Sequence, residues 1–175
     1  MPAQIPSGPF ISTLRFAAVP AAVSCARMFV RHTLHAWQCP DAAETAALIT
    51  SELVTNAVTA TGTTDLHPTY AALAAVPIIR VRLSLHSAAL IIEVWDVSSK
   101  PPVLQQECED AEDGRGLLIV QTESALWGVY FPKAGGKVVW AEVALRKATA
   151  STTRRSRRSA QTRTASPTRS VPAAA

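Results

Sequence analysis

The residues predict an α+β fold, a two-layer sandwich of helices against a mostly antiparallel sheet. Three observations carry the prediction. Apolar residues recur at helical spacing in two consecutive segments between residues 20 and 61. Two strand-like runs, IIRVRLSLH (78–86) and ALIIEVWDV (89–97), then follow one another closely. Near the end, LWGVYF and KVVWAEVAL flank Lys133-Ala134-Gly135-Gly136, a hairpin connection. The order β-α-α-β-β-α-β-β segregates helices from strands, which marks α+β rather than alternating α/β.

Each element has a local reason. FISTLRF (10–16) reads as a short strand. Pro20 suits the first turn of a helix, and Val23, Ala26, Val30, Leu34 and Trp37 share a helical stripe through residue 37. A second helix is expected after Cys39-Pro40, with Asp41 as N-cap and Glu44 three residues on forming a capping box. It runs through DAAETAALITSELVTNAVTAT and stops at Gly62, a suitable C′ residue. Residues 63–77, bounded by Pro68 and Pro77, read as loop. In 78–86, Ile79, Val81, Leu83 and Leu85 alternate with Arg80, Arg82, Ser84 and His86, the pattern of a strand with one wet face. The run 89–97 is more continuously apolar, so it is expected to be the more buried partner. Trp95 and Trp140 lie inside strand-like runs and should pack in the sheet. A loop with Pro101-Pro102 and the acids Glu107, Glu109, Asp110, Glu112 and Asp113 precedes GRGLLIVQTESA, a helix with glycines at its start.

Composition narrows the class. The chain has 175 residues, 48% of them apolar, which fits one domain and a tail. No collagen-like, solenoid or heptad period is present. Neither a transmembrane helix nor a secretory signal is expected, because no long apolar stretch or basic leader occurs. Cys25, Cys39 and Cys108 cannot all pair and none sits in a CxxC, so a reduced, cytoplasmic protein is expected. The net charge of +4 divides unevenly along the chain. Residues 1–145 carry nine basic and thirteen acidic side chains, whereas 146–175 carry eight basic and no acidic ones. Residues 149–175 contain one Val and no other large apolar residue, and are expected to form a disordered basic tail. Residues 1–9 are expected to be a flexible N-terminus, leaving 10–148 as the domain. The tail suits electrostatic contact with nucleic acid or an acidic partner, but it has no aromatic residues for base stacking, and a solvated tail is the simpler explanation.

Chemistry concentrates in three places. In SELVTNAV (51–58), Glu52 and Asn56 are four apart, one turn of the same helix face, a spacing that a solvated face explains equally well. Asp96 ends the strand IIEVWD, where it is either a turn residue or an acceptor at a pocket mouth. Asp113-Gly114-Arg115-Gly116 opens a helix, where glycines admit an anion to free N–H groups, or simply make a tight loop. His32, His35, His67 and His86 form no ligand set with the cysteines. No Walker loop, Rossmann fingerprint or nucleophile elbow occurs.

In this order, SELVTNAV, EVWDVSSKPP, DGRGLLIV and GGKVVWAEV resemble the ATP-binding domain of the GHKL superfamily. The similarity is greatest to the small bacterial anti-sigma-factor serine/threonine kinases and their actinobacterial relatives, over residues 10–146. The resemblance implies a histidine-kinase-like (Bergerat) fold, with the helices on one face of the sheet, and ATP and Mg²⁺ as cofactors. It assigns Asn56 to Mg²⁺, Glu52 to the catalytic base and Asp96 to the adenine amino group. Gly114 and Gly116 fall in the phosphate lid, and Arg115 between them either touches a phosphate or points to solvent. A cytoplasmic regulator is implied that phosphorylates a Ser or Thr of an anti-sigma antagonist, with a sigma factor as competing ligand. Two alternatives stand beside it, a nucleotide-dependent switch without transfer and a nucleic-acid-associated protein acting through its tail. No membrane partner is expected, and a homodimer is left open. The chain departs from the family pattern in having no glycine just after Asp96, and in Val138, where many relatives carry Thr.

Overall fold

The computed structural model describes residues 10–102 and 115–145. Residues 1–9, the acidic run with Cys108 and Gly114, and everything from 146 onward, the expected tail included, lie outside the described residues. The elements are β1 (Phe10–Ala17), α1 (Ala21–Ala36), α2 (Ala43–Thr61), α3 (Tyr70–Ala75), β2 (Ile78–Leu85), β3 (Ala89–Asp96), α4 (Arg115–Glu123), β4 (Leu126–Tyr130) and β5 (Lys137–Ala144).

The five strands form one sheet in the order β1-β2-β3-β5-β4, and every neighbouring pair is antiparallel. The last strand therefore sits inside the sheet beside β3, and β4 takes the edge. Alternation along the strands sets the two faces. Ile79, Val81 and Leu83 of β2, Leu90, Ile92 and Val94 of β3, and Val139, Ala141 and Val143 of β5 are buried in one core with the helices. To that core α1 contributes Ala26, Val30 and Leu34, α2 contributes Ile49, Leu53 and Val54, and α4 contributes Leu117 and Val120. The central helix α2 buries ten residues, so its sequence is apolar around most of its circumference. Burial of β3 alternates without one exposed residue, as its more continuous apolar run predicts.

The opposite face of the sheet carries rows of side chains that cross the strands. Arg15, Arg80, Trp95, Val138 and Tyr130 are successive cross-strand neighbours. Trp95 lies under the Arg80 guanidinium, 5.5 Å from its ring centroid, and both Trp95 and Trp140 pack half-buried in this face. A depression of about 430 Å³ runs along it, lined by Arg15, Arg80, Arg82, Glu93 and Tyr130 among others.

Three local expectations are corrected. The capping box does not form: Asp41 lies in a 3-10 turn, Pro40–Ala42, and α2 starts from Ala42 without a side-chain cap. Glu44 turns instead to Arg31 of α1, whose Nη2 donates to it at 2.7 Å, because a charged donor outcompetes a backbone amide. Gly62 does end α2, but with an extended backbone (φ −101°) rather than a left-handed cap. A Cβ at Gly62 would overlap the carbonyl oxygen of Ala18, so the glycine serves close approach. The segment read as loop contains α3, capped by Thr69, whose hydroxyl accepts from the Ala72 amide. None of its six residues is buried, so no apolar stripe announces it.

Ala18 itself joins three segments. Its amide donates to the Pro77 carbonyl (2.8 Å) and its carbonyl accepts from the Thr63 amide (3.0 Å). Among the described residues, no helix is long and apolar enough to cross a membrane.

Candidate functional site

Two of the sequence-derived residues stand on α2. Glu52 and Asn56 are half-buried, one turn apart, between the buried pairs Leu53-Val54 and Ala57-Val58. They reach partial exposure because the helix face they share meets the start of α4 rather than the sheet. There Gly116 comes close to both. A Cβ on Gly116 would stand 2.7 Å from Glu52 Oε2 and 3.7 Å from Asn56 Oδ1. The structure thus brings Glu52, Asn56 and Gly116 together. Arg115 begins α4 beside them with its side chain exposed, and Gly114 lies outside the described residues.

On its other side Glu52 borders a groove of about 480 Å³ between α1 and α2. Arg27, Arg31, Glu44 and Ser51 line it. Arg27 Nε donates to Ser51 Oγ (3.0 Å), and Ser51 donates in turn to the Ala47 carbonyl (2.7 Å). Arg31 holds the Glu44 carboxyl below the usual carboxylate range by its hydrogen bond. Glu52 therefore lies between an open groove and Gly116 of α4.

Asp96, the last residue of β3, is only 1% exposed and faces the helix side of the sheet. Its Oδ1 accepts from the Ser98 amide (2.8 Å), so it is a turn residue. It also accepts from Lys137 Nζ at 2.8 Å. Lys137 begins β5 directly opposite Asp96 in the ladder and is 4% exposed. No hydrogen bond joins Asp96 to Glu52 or Asn56 among the described residues, though α2 packs on β3 in the common core.

Val138 lies on the sheet face turned away from Asp96. Val138 pairs with Trp95 and Tyr130 on the opposite face, and Lys137 is the residue that meets Asp96. Alternation in KVVWAEV carries the signal, since it groups Lys137 with Val139, Ala141 and Val143. It is easily missed because a lysine is the residue least expected inside. The hairpin closes tightly over this point. Gly136 adopts φ +76°, and a Cβ there would overlap the Asp96 carbonyl oxygen. Trp95 Nε1 donates to the Gly135 carbonyl at 3.0 Å.

The donors present suit a magnesium ion held mainly by phosphates. No group of three or more His, Cys, Asp or Glu side chains able to hold a metal occurs among the described residues. The space beside Gly116 instead offers hard oxygens, the Asn56 carboxamide and the Glu52 carboxylate, and Mg²⁺ takes one or two such ligands alongside substrate phosphate and water. No protein-family model matches the chain, and no curated protein matches it either.

Proposed function

We propose that this protein is a bacterial, cytoplasmic ATP-binding regulator of the GHKL type, acting as an anti-sigma-factor serine/threonine kinase. The observation that carries the reading is the approach of Gly116 to Glu52 and Asn56 in the helical layer. A side chain at 116 would fill the space that a phosphate needs, and the first amides of α4 favour an anion there. Bound Mg²⁺ would neutralise the phosphate charge, with Asn56 Oδ1 as its protein ligand.

Glu52 is the base. It borders the α1–α2 groove, the side from which a partner's Ser or Thr would enter. In the transfer, the hydroxyl proton moves to a Glu52 carboxylate oxygen as the hydroxyl oxygen bonds to the γ-phosphorus. The bond between that phosphorus and the β–γ bridging oxygen breaks, and ADP leaves. The partner in this reading is an anti-sigma antagonist, with a sigma factor competing for the same protein.

Titration of the purified chain with ATP, with and without Mg²⁺, tests binding. Glu52→Ala should leave ATP affinity within a few fold yet slow phosphotransfer to a genuine partner by about 10²–10⁴. Asn56→Ala should lose the Mg²⁺ dependence of binding. Equal transfer rates for wild type and Glu52→Ala would remove Glu52 as base. A switch without transfer is the second reading. ATP and partner binding without any phosphate transfer would select it.

A further inference from the structure

The sheet face turned away from the helices holds a charge cluster that neither the core nor the proposed phosphotransfer uses. Arg15 of β1 stands directly opposite Arg80 of β2 in the ladder. Side chains so placed have Cβ atoms about 4.5–5.5 Å apart, and like charges there destabilise a strand pair. Arg82 follows Arg80 on the same face, two residues along β2.

The neighbours neutralise one of these three cations. Arg82 pairs with Glu93 of β3 at 3.5 Å, and the other Glu93 oxygen accepts from the Tyr130 hydroxyl at 2.9 Å. Both carboxylate oxygens are thus engaged. Among the described residues, neither Arg15 nor Arg80 has an ion-pair partner. Arg80 is held in place by the ring beneath it, since its guanidinium lies over Trp95 and the indole Nε1 is tied to the Gly135 carbonyl. The stack accounts for Arg80, but not for a second arginine facing it. Arg15, Arg80, Arg82, Glu93, Trp95 and Tyr130 all line the depression of about 430 Å³, a volume that takes a small organic molecule.

We propose that this depression binds a small organic phosphate monoester, its phosphate bridging Arg15 and Arg80 and its organic group resting against Trp95 and Tyr130. A planar carboxylate is saturated by one guanidinium fork, whereas a phosphate has three terminal oxygens to share between two forks. Its charge at neutral pH, about −1.5 to −2, also matches the two unpaired cations. The site lies across the sheet from Glu52 and Asn56, and it does not depend on the ATP-binding reading.

Calorimetric titration of the full chain with phenyl phosphate, benzoate and inorganic phosphate tests the site. Phenyl phosphate should bind at least about tenfold more tightly than benzoate, the size of one further hydrogen bond to a charged group. It should also bind more tightly than inorganic phosphate, which has no group to rest on the aromatic side chains. Arg15→Gln and Arg80→Gln should each weaken phenyl phosphate by about tenfold or more, although both keep the arginines of α1 and of residues 146–175. Arg15 is exposed on an edge strand, so its variant should fold as wild type does, and the ligand comparison on wild type needs no variant. Benzoate binding as tightly as phenyl phosphate overturns the phosphate assignment. Inorganic phosphate binding as tightly overturns the organic monoester in favour of the free ion. Undiminished binding by both variants puts the anion elsewhere and overturns the site, as does no binding of phenyl phosphate at millimolar concentration. A dimer in sedimentation that Arg15→Gln dissociates and phenyl phosphate leaves intact gives the face to a second copy of the chain, and overturns the proposal too.

Discussion

Gly116 has no side chain, and the first turn of α4 uses the space. In Gly116→Ala the new methyl meets the end of a flexible side chain, Glu52 Oε2, rather than backbone. Glu52 can swing aside, so the denaturant midpoint should scarcely change. Its carboxylate then no longer stands where the proposed chemistry needs it, and a misplacement of about 1 Å can cost about 10²-fold in rate. A phosphotransfer assay beside a urea melt checks both halves, and a variant equally active as wild type would detach Gly116 from the site. The cysteines offer a second test. Burial, with a smaller contribution from nearby Asp41, raises the Cys39 thiol pKa, whereas Cys25 is exposed on α1. A raised pKa means less thiolate at pH 8, so a thiol reagent should modify Cys25 before Cys39, as peptide mapping will show. At this scale the sequence is legible where residue type and position agree, as for Asp96 at a strand end. Lys137 is illegible because its position requires burial and its type argues against it.

At the scale of elements, two long helices are joined by an exposed tie, Arg31 to Glu44. Arg31 lowers the Glu44 pKa, so the tie's contribution is fully present above the ordinary carboxylate pKa and is lost as pH falls through the lower folded-state value. Glu44→Gln should therefore melt slightly below wild type at neutral pH and low salt, with the difference vanishing in acid or at high salt. Melting curves across pH check the sign. Gly62→Ala acts differently, since its methyl meets the Ala18 backbone, which cannot rotate away. We expect a loss of about 1–3 kcal/mol by denaturant titration, the usual cost of overpacking. Helices α1 and α2 are legible from their stripes, yet the start of α2 is not. Asp41 and Glu44 have capping-box spacing, and what decides is an arginine thirteen residues before Glu44, which no local pattern reveals. Helix α3 escapes for the opposite reason, having no buried face to leave a period.

The described residues form one sheet and one helical layer, and the order of their elements, α3 excepted, is readable from alternation and turn chemistry. The strand order is not. Placing β5 inside and β4 at the edge depends on the pairing of β3 with β5, between residues 41 to 55 positions apart. Among the described residues the buried core runs from Ala18 to Val143, with Phe16 and Leu145 packed against it. Truncation after Ala148 removes six arginines and none of these core side chains, so the melting temperature should barely move. Any nucleic-acid binding by the full chain should weaken steeply with salt and disappear with the tail. Salt-dependent binding retained by the truncated protein would move that activity to the domain.

Ala18 clips both Thr63 and Pro77, so the stretch between them, α3 included, leaves and returns at a single peptide unit. It is a detachable excursion with its two feet on one stone. Val76 at its end packs against the core, none of the proposed site residues lies in it, and doubling such a loop costs only about 0.6 kcal/mol in closure entropy. This is where the chain has room to acquire a tag, a longer arm or a new epitope without the rest of the molecule registering the change.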